Sequence, residues 1–109
     1  MATVRNMVSP RTDREVANQF IIELNHDGNE VTVFQSYKSD IATIDWVERD
    51  ITIGDDWDYS RTTGKYRNQF FKEMGFDALS SKNGIEDALK LGYVEHKHDY
   101  INFSVHFEC

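Results

Sequence analysis

The sequence predicts an α+β domain in which a small antiparallel sheet of about four to six strands is covered by one main helix, over residues 60–74, and a shorter helix over residues 84–91. Two observations lead to this class. Apolar and polar residues alternate in the first half of the chain and again near its C-terminus, whereas apolar residues at helical spacing are grouped after residue 57. The chain has 109 residues, which is the length of one domain, so we expect residues 1–109 to share a single core.

The first half of the chain predicts strands that follow one another through short turns. Residues 1–17 predict an N-terminal arm without regular structure, because turn-forming residues occupy positions 9–13. Asp27 followed by Gly28 is a strong hairpin signal between two strand-like runs. Period-2 alternation and β-branched residues predict strands at residues 18–24, 30–36, 41–47 and 51–53, the third being favoured over a short helix.

The stretch WDYSRTTGKYRNQFF, residues 57–71, predicts the main helix. Ser60 or Asp58 can cap its N-terminus, and Gly75 can end it in the left-handed conformation. Its inner face is predicted to be the stripe Tyr59, Thr63, Tyr66, Phe70 and Met74. Gly64 within this helix costs ~1 kcal/mol relative to alanine, which indicates a close backbone approach or a frayed first turn.

The remainder of the chain predicts the shorter helix and further strands. Residues 84–91 have helical spacing and are followed by a glycine. Residues 93–96 are a candidate short strand. Residues 100–108 show the most regular alternation in the chain, and we expect them to close the sheet.

The net charge of −7 favours some partners over others. An acidic chain repels phosphate backbones unless it separates a basic face, and it associates faster with basic surfaces. Direct binding of nucleic acid is therefore disfavoured for the molecule as a whole, and a basic protein partner is favoured. The alternative is that the negative charge serves only solubility.

A dense group of carboxylates lies between residues 45 and 58. Its members are Asp45, Glu48, Asp50, Asp55, Asp56 and Asp58. Such a group can imitate spaced phosphates toward a basic partner, bind a divalent cation, or form a solvated rim. The calcium-loop pattern fails because Arg61 stands where that loop requires glycine, so we predict no metal.

Other candidate chemistry is weaker. His96, His98 and His106 suggest a zinc site, but three histidines without a cysteine pair are a signal of low specificity. The single cysteine, Cys109, has no catalytic neighbour in sequence, and no serine elbow, phosphate loop or dinucleotide motif occurs. We therefore predict a protein that is not an enzyme and that uses no cofactor.

Cysteine content and hydropathy predict the compartment. A lone cysteine forms no intramolecular disulfide, and no segment has the apolar run of a signal peptide or a membrane helix. We expect a cytoplasmic protein that does not bind membranes.

Three segments carry a resemblance to a known group of proteins. They are SPRTDREVANQFII (residues 9–22), FQSYKSDIATI (residues 34–44) and WDYSRTTGKYRNQFF. They look like recurring segments of a family of small proteins of unknown function encoded by bacteriophages and prophages. The resemblance covers about the first two thirds of the chain and implies the host cytoplasm as the setting.

Small acidic proteins of this kind often resemble inhibitors of host defence, including anti-CRISPR proteins, which occupy basic nucleic-acid channels. The expected function is therefore inhibition of a host defence nuclease through the acidic surface. The alternatives are a phage accessory protein that binds nucleic acid through the basic helix residues Arg61, Lys65, Arg67 and Lys72, or a structural module of the virion. We expect a monomer or a homodimer.

Overall fold

The computed structural model describes residues 2–26, 28–48, 50–90, 94–97 and 100–104. In this part of the chain, seven strands form one antiparallel sheet. The strands are β1 (Ala2–Val8), β2 (Glu15–His26), β3 (Asn29–Ser36), β4 (Ser39–Asp45), β5 (Asp50–Gly54), β6 (Val94–Lys97) and β7 (Tyr100–Ser104). The helices are α1 (Arg61–Glu73) and α2 (Lys82–Lys90), with a 3₁₀ turn at Asp77–Leu79 between them. The predicted α+β class is confirmed.

The order of strands across the sheet is β1-β2-β3-β4-β5-β7-β6. The first five strands form a meander of hairpins, and β7 then pairs with β5 so that β6 becomes an edge. The predicted hairpin between β2 and β3 is present: His26 pairs with Asn29 and Gly28 is at φ +82°, whereas Asp27 lies outside the described residues. The sheet has more strands than the four to six expected from the sequence.

Strand β1 accounts for the difference at the N-terminus. The arm expected over residues 1–17 is not irregular, because Ala2–Val8 pairs antiparallel with β2 as the other edge strand. Met7 is fully buried in the core, whereas Ala2, Thr3, Val4 and Arg5 are exposed. The first four residues of β1 are exposed on both faces and show no alternating burial, so the sequence of this edge strand does not distinguish it from a loop.

One face of the sheet packs against the helices. Ile21, Phe34, Ala42 and Ile53 are opposite one another on β2 to β5, and all four are buried. The Phe34 and Phe70 rings stack with centroids 5.5 Å apart, which places α1 on this face. Burial of these aromatic side chains, together with the isoleucines of the core, stabilises the packing of α1 on the sheet.

The ends of α1 follow the predicted capping chemistry. The Thr63 amide donates to the Ser60 hydroxyl at 3.1 Å, so Ser60 is the N-cap, and Gly75 follows the helix at φ +92°. Thr63, Tyr66 and Phe70 are buried, as the predicted stripe requires. Tyr59 is not part of that stripe: it precedes the helix and half of its surface is exposed.

Gln19 is a buried residue whose side chain gives a testable prediction. It is 0% exposed, and neither of its amide atoms has a hydrogen-bond partner within the described part of the chain. Its neighbour across the strand pair, Ser36, uses its hydroxyl on Thr63 instead, at 2.8 Å. Because an unsatisfied buried polar group costs stability, we expect Gln19→Met to raise the free energy of unfolding by about 1 kcal/mol.

Urea denaturation measures this change, with Gln35→Met on the neighbouring strand as the control. Gln35 is only partly buried and its amide bonds the Tyr37 carbonyl near solvent, so its replacement should change stability by less than about 0.5 kcal/mol. A loss of stability in Gln19→Met would contradict the prediction.

Candidate functional site

The six candidate carboxylates do not form one surface. Strand β5 separates them, because the register pairs Asp45 with Asp50 at one end of the β4–β5 hairpin and places Asp55 beyond the other end. A strand of five residues spans about 17 Å. Asp45, Glu48 and Asp50 therefore lie near the β4–β5 turn, and Asp55, Asp56 and Asp58 lie in the connection to α1.

In the group at the β4–β5 turn, Asp45 has a structural role. One carboxylate oxygen of Asp45 accepts from the amides of Val47 and Glu48, both at 3.1 Å, and so holds the turn. Glu48 is exposed. The side chain of Asp50 lies outside the described part of the structure.

Asp58 in the second group is engaged inside the protein. Its carboxylate contacts Lys82 Nζ at 2.8 Å and Arg67 Nη1 at 3.2 Å, and its side chain is 29% exposed. The hydrogen bond from Lys82 lowers the pKa of Asp58; burial opposes this effect, and Arg67 adds to it. Asp58 joins the loop before α1 to the first residue of α2, which limits its availability to a partner.

Arg67 is buried, which corrects the expectation that it belongs to the exposed basic face. It is 1% exposed. Its guanidinium donates to the Trp57 carbonyl at 2.7 Å, to Asp58, and to the Asn68 side chain at 2.9 Å, and it lies 5.1 Å from the centre of the Trp57 ring. Burial lowers the pKa of Arg67, and the bond to Asp58 opposes that shift.

The helical period explains this position. Arg67 comes four residues after Thr63 and four before Phe71, and both of these are buried, so residue 67 belongs to the inner stripe. The inner stripe predicted from the sequence contains only uncharged residues and therefore omits Arg67. The signal in the sequence was the spacing itself, together with an aspartate nine residues earlier.

The other three predicted basic residues are exposed on α1: Arg61, Lys65 and Lys72. Two of them border a shallow groove of about 620 Å³ between α1 and the start of α2, lined also by Asn68 and Lys82. Lys72 is not part of its lining. The buried Arg67 also lines the groove, which thus joins Lys82, missed by the sequence analysis, to three of the four predicted basic residues.

An exposed aromatic pair lies at the end of the sheet where Asp55 and Asp56 are found. Tyr37 and Tyr59 make an edge contact with ring centroids 6.4 Å apart, and they are 44% and 50% exposed. Tyr37 occupies the β3–β4 turn at φ +56°, and its amide donates to the Asn18 carbonyl at 2.7 Å. The pair is therefore held on a fixed backbone.

Hydrogen bonds connect this pair to the aspartates. Asp56 accepts from the Ser39 hydroxyl at 2.9 Å through its carboxylate and from the Tyr59 amide at 3.3 Å through its carbonyl. The carbonyl of Asp40 faces Gly54, where a Cβ would lie 2.5 Å away, so Asp40 lies at the same end of the sheet. We call this surface the tyrosine–aspartate patch: Tyr37, Asp40, Asp55, Asp56 and Tyr59.

Sequence reasoning did not select Tyr37 or Asp40 as site residues. The signal was available in the hairpin register, since pairing Asp45 with Asp50 places Asp40 opposite residue 55. The contact between Tyr37 and Tyr59 could not be predicted in this way, because it depends on how close the β3–β4 turn lies to the segment before α1.

Among the described residues, no three His, Cys, Asp or Glu side chains lie close enough together to hold a metal ion. The side chains of His96, His98 and His106 lie outside the described part of the structure. Neither α1 nor α2 has the length and apolar character that crossing a membrane requires.

Fold and patch together define the class: a small α+β protein with an antiparallel meander, a helical cover on one face, and an exposed aromatic and acidic surface. The chain belongs to the family of unknown function DUF8033, whose model matches residues 2–87. The matched region includes β1 to β5, α1 and most of α2. Searches of curated proteins and of solved structures found no match.

Proposed function

We propose that this protein acts without catalysis, by binding a basic surface of another protein through the tyrosine–aspartate patch. The observation that carries the proposal is the exposed contact between Tyr37 and Tyr59, near which lie three exposed aspartates: Asp40 in β4, and Asp55 and Asp56 in the turn after β5, where Asp56 accepts from Ser39. Tyrosine is enriched at protein interfaces because its ring supplies contact area at low entropic cost. The carboxylates supply charge complementarity.

The negative charge of the patch favours partners with a basic surface. Asp40, Asp55 and Asp56 are exposed. The positive charge of Lys38, in the β3–β4 turn beside Tyr37, offsets one of these negative charges. The remaining negative charge is part of the net charge of −7, which steers association toward basic surfaces. Asp58 is excluded from this surface because its charge is shared with Arg67 and Lys82.

The proposed partner is an RNA-guided nuclease of host defence. Its nucleic-acid channel is a basic surface, and an acidic protein that occupies the channel competes with phosphate. The resemblance of three segments to phage-encoded proteins supports this partner, which makes the protein an inhibitor of the anti-CRISPR type. We expect the binding to weaken as salt increases, since salt screens the attraction between the carboxylates and a basic surface.

A cleavage assay with purified nuclease, guide RNA and target DNA tests the proposal. We expect the wild-type protein to slow cleavage, and the double variant Asp55→Asn, Asp56→Asn to bind at least about tenfold more weakly. Asparagine keeps an oxygen that can accept from Ser39, so the loop should remain folded. Glu73→Gln, on the exposed part of α1, is the control with the same type of charge change.

Two results would reject this function: cleavage unaffected by the wild-type protein, or equal loss in the double variant and in Glu73→Gln. A pull-down from host lysate, followed by identification of the retained proteins, extends the test beyond one nuclease.

The groove between α1 and α2 favours a second candidate, binding of single-stranded nucleic acid. Arg61, Lys65 and Lys82 line it, and phosphates bind such basic grooves. In gel shifts at physiological salt, Lys65→Glu should abolish binding, whereas Lys72→Glu, outside the groove, should have little effect. Equal effects of the two substitutions would remove the groove as the site.

A further inference from the structure

We infer that a cavity at the tips of β2 and β3 binds an arginine side chain of a partner protein. The cavity has a volume of about 220 Å³ and is lined by Glu23, Asn25, Glu30, Thr32 and Trp46, together with Leu24 and Val31. Sites for small molecules usually measure about 300–1,000 Å³, so this volume suits one inserted side chain. The site does not depend on the function proposed above.

The strand register brings two carboxylates to this cavity. Glu23 is opposite Thr32 and Asn25 is opposite Glu30, so Glu23 and Glu30 occupy diagonal positions on the helix-covered face. Diagonal positions of an antiparallel pair lie about 7–8 Å apart. That separation leaves room for one planar cation between the two carboxylates.

Trp46 supplies a fixed aromatic wall. Its indole nitrogen donates to the Thr32 hydroxyl and its amide donates to the Glu30 carbonyl, both at 2.9 Å. The ring also packs against Phe76 with centroids 5.9 Å apart. A guanidinium stacks on tryptophan and pairs with carboxylates, whereas an ammonium makes no planar contact.

The chain already brings one of its own arginines toward this place. Arg5 Nη2 lies 4.0 Å from a carboxylate oxygen of Glu23, and the two side chains are 54% and 55% exposed. Such an exposed pair contributes little and is easily exchanged. Asp45 and Glu48 at the neighbouring turn add negative potential, which attracts cations to this end of the sheet.

The cavity is separate from the tyrosine–aspartate patch. Glu30 is the second residue of β3 and Tyr37 follows the end of that strand, so they are about seven residues, or about 23 Å of extended chain, apart. Variants of one site therefore leave the other intact.

Titration of the labelled full-length protein with acetyl-arginine amide, followed by NMR, tests the inference. We expect the indole resonance of Trp46, assigned with Trp46→Phe, to shift, and the affinity to exceed that of the neutral citrulline analogue by at least fivefold. The lysine analogue, acetylated only at its α-amino group so that it keeps its charged ammonium, should bind more weakly than acetyl-arginine amide. Equal shifts by citrulline and arginine, or tighter binding of lysine, would overturn the inference.

Charge variants complete the test. Glu30→Gln and Glu23→Gln should each weaken arginine binding by three- to tenfold. Glu15→Gln, at the far end of β2, makes the same change away from the cavity and should leave the affinity unchanged. If Glu15→Gln weakens binding as much as Glu30→Gln, the cavity is not the site. The Asp55→Asn, Asp56→Asn protein should bind arginine normally, which separates this result from failure of the proposed function.

Discussion

Replacing Asp58 by alanine is expected to lower the free energy of unfolding by about 3 kcal/mol, because it leaves the buried Arg67 without its counter-charge. Arg67 would keep its bonds to the Trp57 carbonyl and to Asn68, but its positive charge would remain out of water. Removing one partner of a buried pair usually costs about 3–5 kcal/mol. We expect the lower end because the Asp58 side chain is 29% exposed.

Chemical denaturation of Asp58→Ala and of Asp56→Ala measures the difference. Asp56 is exposed and bonded only near the surface, so its loss should cost less than about 1 kcal/mol. Comparable losses in the two variants would show that water, and not Asp58, compensates the charge of Arg67.

The pH dependence of the same comparison has a defined direction. The folded pKa of Asp58 is lowered, chiefly by the hydrogen bond from Lys82, relative to the unfolded chain. The contribution of Asp58 is therefore complete above about pH 4 and is lost as the pH falls through the lowered folded value. The stabilities of the wild type and Asp58→Ala should converge in acid.

Replacing Gly84 by alanine is expected to destabilise the protein by about 2–3 kcal/mol, although alanine is the better helix former. Gly84 lies within α2, where helix propensity alone predicts a gain of about 1 kcal/mol. A Cβ at this position would overlap the backbone carbonyl oxygen of Ala78, so α2 would have to move away from the 3₁₀ turn. Backbone cannot rotate away as a side chain can.

Gly64→Ala in α1 is the matched control, with the opposite sign. A Cβ there would meet only side-chain atoms of Arg67 and Asp58 at 3.7 Å, which is ordinary contact. We expect a gain of up to about 1 kcal/mol from the helix propensity of alanine. Thermal and urea unfolding measure both variants, and a stabilised Gly84→Ala would contradict the close packing of α2 on the turn.

These glycines show what sequence reasoning reached and what it missed. A glycine within a helix predicts a close backbone approach, and the structure has such an approach, but at Gly84 and not at Gly64. Helical spacing locates the glycine on the helix, whereas the approaching carbonyl comes from a neighbouring turn.

For the candidate site too, the sequence revealed some residues and only the structure revealed the others. Composition identified the acidic segment. Strand β5 runs through that segment, however, and places its two groups of carboxylates at opposite ends of the sheet, about 17 Å apart. Asp40 and Tyr37 join the patch through hairpin register, and Trp46 joins the arginine cavity through its bond to Thr32.

The sequence by itself determined the α+β class, the hairpin at Gly28, the helix from a cap at Ser60 or Asp58 to Gly75, and three buried members of the inner stripe of α1, namely Thr63, Tyr66 and Phe70. Periodicity and capping are local, since they depend on residues within a few positions of one another. Only the tertiary structure decided that β1 is a strand, that Arg67 is buried, and that the carboxylates form two groups. Each of these depends on pairing between distant segments, where charge burial and strand register are set by partners that no local pattern contains.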